Sequence, residues 1–276
     1  MGITASQVNM LRQKTGAGMM DCKKALVEAD GDEQKAIDIL RKKGQKVASK
    51  RGDNDTNEGL VIAKPFNDGK SGVILALACE TDFVAKNDSY YEFVDKLADI
   101  AAENRVASVE DFNNAKFDDS LTVGEKITEQ IGVIGEKLVV NALEVFDADA
   151  VVAYNHPGNQ VAALVGLTKG SEAAVDAGKQ VAMQVAAMAP IALDKTGVDQ
   201  ATIDRELEIG KELAIKEGKP AEMAEKISQG RLNKFFKENT LLSQPFVRDN
   251  KVSVEQFLNN TEGGLTVAKF KRIALK

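Results

Sequence analysis

The 276-residue chain has no tryptophan, a single histidine (His156), two cysteines and three tyrosines. Each shortage removes a class of chemistry. One histidine and two scattered cysteines cannot build a zinc site, and no carboxylate motif stands beside them. His156 lies in a turn signal with no nucleophile partner in sequence reach, which argues against a hydrolytic triad. Cys22 and Cys79 form no CxxC pair. With no signal-like start at Met1-Gly2-Ile3-Thr4, a reducing compartment and no disulfide framework are expected. No apolar run approaches the length of a membrane span, so no membrane partner is expected. GxxxxGKS/T is missing, as is GxGxxG after a strand, which argues against nucleotide binding by this chain. The interleaved basic and aromatic residues of RNA-stacking modules are missing too, so no direct nucleic acid partner is expected. No cofactor, metal or catalytic residue is expected, and what remains is a protein that acts on another protein.

What is present is an ordinary globular balance, 43% apolar and 28% charged, in a chain long enough to bury a core without staples. The net charge of −6 is unevenly spread. Residues 1–52 carry 11 Lys/Arg against 6 Asp/Glu, and the remainder is acidic. A solvated helix face is the commonest meaning of such a basic run, although it also suits nucleic acid or an acidic protein.

Periodicity divides the chain. Residues 1–44 read as three short helices. Thr4-Ala5-Ser6-Gln7 fits a capping box, Thr15-Gly16-Ala17-Gly18 breaks the first helix, and Cys22, Ala25, Leu26 and Ala29 form the inward face of the second. Gln45–Glu58 reads as a polar linker, with a domain boundary near residue 53. From Gly59 the period changes. Leu60–Ala63 is a strand, Asn67-Asp68-Gly69-Lys70 a hairpin turn, Val73–Ala78 the return strand, and Tyr90–Ala102 a helix. The unit recurs: Ala150–Tyr154, a turn at His156-Pro157-Gly158-Asn159, Val161–Leu167, and a helix over Lys179–Ala189. Leu138–Phe146 reads as the last strand of the first half and Thr266–Leu275 as that of the second. The spacing therefore predicts an α+β fold with related halves at 54–147 and 148–276, after a helical head and linker at 1–53. A charged antiparallel helical hairpin, turning at Gly218-Lys219-Pro220, is inserted at about 199–237. Gly210 and Gly230 are expected to let its backbones approach. The hairpin reads either as a projecting binding arm or as a neutral surface insertion.

The two copies differ in the loop before the helix. The first carries Cys79-Glu80-Thr81-Asp82-Phe83-Val84-Ala85-Lys86-Asn87; the second has Lys169-Gly170-Ser171, with no aromatic. Phe83 can fold back as a staple for the next helix or project as an anchor for a partner. Pure packing would ask for a similar staple in both copies, so the asymmetry favours a functional Asp82 and Phe83.

Two long motifs carry a resemblance. Leu11 to Leu26, reading LRQKTGAGMMDCKKAL, resembles the N-terminal signature of the elongation factor Ts family, and Thr81-Asp82-Phe83-Val84-Ala85-Lys86 resembles its second signature. Ile134-Gly135-Glu136, Tyr154-Asn155-His156, Gly218-Lys219-Pro220 and Gln244-Pro245-Phe246-Val247 fall in the family's order. The resemblance implies a guanine-nucleotide exchange factor, without bond chemistry of its own, that binds elongation factor Tu in its GDP-bound and nucleotide-free forms. It implies a ubiquitin-associated-like head, a duplicated α+β core with antiparallel sheets, and a projecting helical hairpin. It places Thr81, Asp82, Phe83 and Val84 in a wedge near the partner's magnesium and nucleotide site. Arg12, Met19, Met20 and Lys23 are placed on the partner's GTPase domain, and Ile134, His156, Phe246 and Val247 at further contacts. Asn141 and Ala142 stand where bacterial relatives often carry arginine, and Arg248 where methionine is common. Some members continue into a C-terminal helical module, whose docking is not expected here. A bacterial cytoplasmic location is expected, an organelle matrix and the oligomeric state being left open. The rival reading is a ubiquitin-associated-like adaptor without exchange activity, against which the intact Thr81-Asp82-Phe83 loop argues.

Overall fold

The computed structural model describes residues 2–106 and 108–275. The chain opens with helices α1 (Ala5–Thr15), α2 (Met19–Glu28) and α3 (Glu33–Lys50). The capping box is present: the Thr4 hydroxyl accepts the Gln7 N–H while the Gln7 side chain accepts the Thr4 N–H. Val8, Leu11, Cys22, Leu26 and Ala36 form the small core between these helices. The third helix runs further than the sequence suggested. Gln45–Lys50, read as linker, is helical, and Val47 and Ala48 pack against the core of the first half. The irregular linker is therefore only 51–57.

Strands β1 (Glu58–Phe66), β2 (Ser71–Cys79) and β3 (Val139–Asp147) form one antiparallel sheet in that order. Between β2 and β3 run α4 (Asp82–Ala85), α5 (Asp88–Asn104), α6 (Val109–Asn114) and α7 (Val123–Ile134). The second half repeats the plan. Strands β4 (Ala150–Asn155) and β5 (Val161–Leu167) lead to α8 (Glu172–Met188). Then come the hairpin helices α9 (Gln200–Lys216) and α10 (Ala221–Asn239), the small ribbon β6 (Pro245–Phe246) and β7 (Asp249–Ser253), α11 (Val254–Thr261), and β8 (Val267–Ala274), which pairs with β5. Helix α8 starts seven residues before the expected Lys179, because Ser171 caps it and Ala174, Ala177 and Gly178 already face the core.

The two sheets pack face to face. Ile74, Ala76 and Phe146 of the first meet Val151, Leu164 and Ile273 of the second. Helix α5 covers the outer face of the first sheet and α8 that of the second. All nine residues of β2 are buried because this central strand is covered on both faces. The copies also grip each other's edges. Val61 N–H donates to the Asn159 carbonyl at 2.6 Å, and Val151 N–H donates to the Gly69 carbonyl at 2.6 Å. Both position pairs, 61/151 and 69/159, differ by 90 residues, so one internal two-fold relation generates both bonds.

The head is seated on the first half through α3 and α7. A Cβ added to Gly132 would lie 2.7 Å from the Gly44 Cα, so these helices touch backbone to backbone. The hairpin helices α9 and α10 pack chiefly on each other. Their close approach differs from the expected one. A Cβ on Gly210 would sit 3.0 Å from the Ser228 Cβ, whereas Gly230 faces open space, because the register sets Gly210 opposite Ser228.

Candidate functional site

Phe83 is 84% exposed, the most exposed large apolar side chain among the described residues. It is not a staple. It rides on α4, a single helical turn between the end of β2 and the start of α5. Its neighbours on that turn face elsewhere. Val84 and Ala85 are half-buried against the first core, so Val84 supports the turn from inside. Asp82 points outward and accepts a 2.6 Å hydrogen bond from Lys86 Nζ. That hydrogen bond and the Lys86 charge hold the Asp82 carboxyl below its usual range.

The base of the turn is fixed from outside it. Thr81 makes no side-chain cap for α4; its hydroxyl instead donates to Glu136 Oε1 at 2.6 Å. Glu136 Oε2 accepts the N–H groups of Glu80 and Thr81 at 3.2 and 3.0 Å. In return the Glu80 carboxylate accepts the Lys137 N–H at 2.6 Å, Arg51 Nη1 at 2.7 Å and Asn54 Nδ2 at 2.8 Å. Burial works to raise the Glu80 carboxyl, but these donors outweigh it and hold it below its ordinary value. Ile134 is half-buried against the same core at the end of α7, immediately before the Gly135-Glu136 turn. The structure thus brings Ile134, Thr81, Asp82 and Phe83 to one corner of the first sheet.

In the head, Arg12 lies in the last turn of α1, and Met19, Met20 and Lys23 in the first turns of α2. All four are exposed, Met20 by 63%. The Thr15–Gly18 break brings them to one end of the bundle: Gly16 adopts φ 70°, and its N–H returns to the Arg12 carbonyl. Two neighbouring methionines open to solvent form an adaptable apolar surface.

In the second half, His156 is exposed at the β4–β5 turn, with Nδ1 3.1 Å from the Tyr154 hydroxyl. A groove of about 380 Å³ runs beside it, lined by Tyr154, His156, Met183, Val247 and Arg248 among others. It joins His156 to Val247, which are 91 positions apart in sequence. Phe246 does not share that exposure. It is 3% exposed and stacks on Phe257 with ring centroids 4.0 Å apart. Its ring is therefore internal rather than part of the exposed surface: β6 turns Pro245 out and Phe246 in, and Val247 stands exposed on the turn that follows.

The profile of the family described as "Elongation factor TS" matches residues 80–276. A protein of Christiangramia forsetii named elongation factor Ts is 51% identical over 273 residues, covering 99% of this chain and 98% of that protein. Its namesake in Amoebophilus asiaticus is 52% identical over 275 residues, covering 99% of each. The chain belongs to the elongation factor Ts family. The namesake of Prosthecochloris aestuarii is 40% identical over 283 residues. Among the described residues no helix is long and apolar enough to cross a membrane.

Within this family member, residues outside the expected set hold the expected ones in place. Glu80, Arg51 and Lys137 close on the base of the Phe83 turn, as described above. Gln184 is fully buried on α8; its amide donates to the Pro245 carbonyl at 3.1 Å and its Oε1 accepts the Val247 N–H at 3.0 Å. A lone Gln on an otherwise apolar helix face was the available signal for it. Of the positions expected to depart from the family pattern, Asn141 is exposed on β3, Ala142 packs against the inter-sheet core, and Arg248 reaches Gln180 at 3.3 Å beside the groove.

Proposed function

We propose that this protein is a guanine-nucleotide exchange factor for elongation factor Tu, acting in the bacterial cytoplasm without bond chemistry of its own. The observation that carries this reading is Phe83: a large apolar ring held out into solvent, on a turn whose base makes three hydrogen bonds to the Glu136 carboxylate. A monomer's own stability gains nothing from such a ring, but a partner pocket does.

In this reading the chain works as 1–53, 54–147 and 148–276, with the hairpin as an appendage. The head docks on the partner's GTPase domain near the phosphate-binding loop through Arg12, Met19, Met20 and Lys23. Thr81, Asp82 and Phe83 enter beside the magnesium and nucleotide site, with Val84 supporting them. His156 and Val247 hold a second domain across the groove. Phe83 supplies apolar area, and Asp82, releasing Lys86, reorders hydrogen bonds near the metal. The factor stabilises a partner state whose magnesium and phosphate contacts are broken, so GDP leaves faster. Factor and GDP must each weaken the other's binding by the same factor. The GDP-bound and nucleotide-free forms of elongation factor Tu are therefore both partners.

Stopped-flow release of a fluorescent GDP from elongation factor Tu tests this. Acceleration by the wild type is expected; binding to elongation factor Tu with no acceleration would end the exchange reading.

A further inference from the structure

Phe83 sits on one turn of helix, too short to hold its own direction. The direction is set by one carboxylate on another element. Glu136 collects three donors from two consecutive residues, the N–H groups of Glu80 and Thr81 and the Thr81 hydroxyl. It can do so because Gly135, at φ 83°, ends α7 in the left-handed region and turns the chain back toward the wedge.

The second copy shows what the same position does without a wedge. Ser171 stands 90 residues after Thr81, and Glu262 follows α11 as Glu136 follows α7. The Ser171 hydroxyl donates to Glu262 at 2.5 Å and also caps α8 by accepting the Ala174 N–H at 3.1 Å. That helix starts at once and runs unbroken to Met188. In the first copy Thr81 gives α4 no side-chain cap, and Glu136 takes the backbone N–H groups as well. Helix α4 stops after four residues, Asn87 recaps the chain for α5, and Phe83 stands out into solvent from that single turn.

We propose that Glu136 is a positioning residue of the exchange wedge: by gripping the Glu80–Thr81 backbone it fixes the direction in which Phe83 meets the partner. This rests on the exchange reading above. The head and groove surfaces do not depend on Glu136, so its loss leaves complex formation largely intact and falls on the rate of GDP release. A misplacement of about 1 Å at a reacting constellation can cost on the order of a hundredfold in rate.

The test measures fluorescent-GDP release from elongation factor Tu against concentration of the full-length wild type, Glu136→Ala and Glu136→Gln. Glutamine keeps an oxygen for both N–H groups, and its amide can donate to a rotated Thr81 hydroxyl. The expectation for Glu136→Ala is a maximal rate at least about tenfold lower, with the half-saturating concentration changed by less than about threefold. Glu136→Gln should stay within about threefold of wild type on both. Hydrogen exchange at the Thr81 amide of the free protein should quicken at least about tenfold in the alanine variant only. Full activity of a folded Glu136→Ala would overturn the proposal. So would a Glu136→Gln as defective as the alanine variant, which would make the charge rather than the grip the operative feature. If Glu136→Ala does not fold, Thr81→Val, which removes only the hydroxyl bond, must lower the maximal rate for the proposal to stand. No acceleration by the wild type, with the Thr81 amide protected, would instead overturn the exchange reading and the role of the grip with it.

Discussion

Glu80 and Glu136 hold each other's neighbourhoods: the Glu136 carboxylate accepts the Glu80 N–H at 3.2 Å, and the Glu80 carboxylate accepts the N–H of Lys137, next to Glu136, at 2.6 Å. Two acids can sit this close because each faces donors rather than the other acid. Arg51 and Asn54 complete the shell of Glu80, and Lys137 Nζ donates to the carbonyls of Gly52 and Asn54 at 2.6 and 2.9 Å. The linker from the head is thereby fastened to the base of the Phe83 turn. A long polar linker would have left the head and the Phe83 turn independent; this one is hydrogen-bonded to the base of that turn.

Phe83→Ala should separate fold from function. The ring is mostly in solvent, so the melting temperature should move by no more than about a degree or two, the ordinary range for a surface change. Loss of a buried aromatic anchor typically costs about 2 kcal/mol or more of binding, roughly thirtyfold. Stopped-flow GDP release and a melting curve on the same sample check both halves. Equal loss of stability and exchange would return Phe83 to a packing role.

Glu80 makes stability depend on acid in a defined direction. Its folded carboxyl titrates below the ordinary 4.5, so its contribution is complete above that pH and is lost as the pH falls through the lowered folded value. Glu80→Gln should be less stable than wild type at pH 7 by about 1–2 kcal/mol. The gap should close as the pH falls below the carboxylate range. Urea unfolding of both proteins at several pH values measures this, and a gap that widens in acid would contradict it.

The glycine contact between α3 and α7 seats the head. Gly132→Val would drive a side chain into Gly44, an overpacking that typically costs about 1–3 kcal/mol. Head and core should loosen together, with faster tryptic cleavage in 51–57 and a lower melting temperature. Unchanged cleavage would mean that the linker hydrogen bonds alone suffice.

The hairpin glycines should part company. Gly230→Ala meets nothing and should stabilise α10 by about 0.5–1 kcal/mol through helix propensity. Gly210→Ala would press on the backbone and side chain of Ser228 and should destabilise the hairpin instead. Hydrogen exchange of the α9 and α10 amides distinguishes them, and the same sign for both would refute the register.

Cys22 and Cys79 should resist alkylation in the native protein and react only on unfolding. Both are fully buried, and burial pushes the Cys79 thiol up to about 11. Mass spectrometry after iodoacetamide treatment at pH 8, with and without denaturant, reads this directly. Rapid native labelling would require local opening around β2 for Cys79 or within the head for Cys22.

The elements were legible in sequence where a local rule decides them. Thr4 and Gln7 cap each other three residues apart, Asn67-Asp68-Gly69 supplies the left-handed residues its turn requires, and the duplicated strand-turn-strand order survives in the apolar pattern. Helix ends were less legible. Gln45–Lys50 looks polar enough for a linker, and only the first core beside it makes helix worthwhile. The asymmetry between Thr81-Asp82-Phe83 and Lys169-Gly170-Ser171 is visible in the sequence, and it singles out Asp82 and Phe83.

By itself, then, the sequence determined the family, the periods of the elements and the presence of an unusual aromatic in one of two related loops, because these depend on residues close together in the chain. Tertiary structure alone decided which of the aromatics stands in solvent. Phe83 is held out by a carboxylate 53 positions further along, and Phe246 is turned in against Phe257 beneath a loop pinned by Gln184. It also alone decided that the two sheets close on each other, with each hairpin turn gripping the other copy's edge strand. Direction and burial of a side chain are set by whatever packs against it, and those neighbours are distant in sequence and carry no local pattern that announces them.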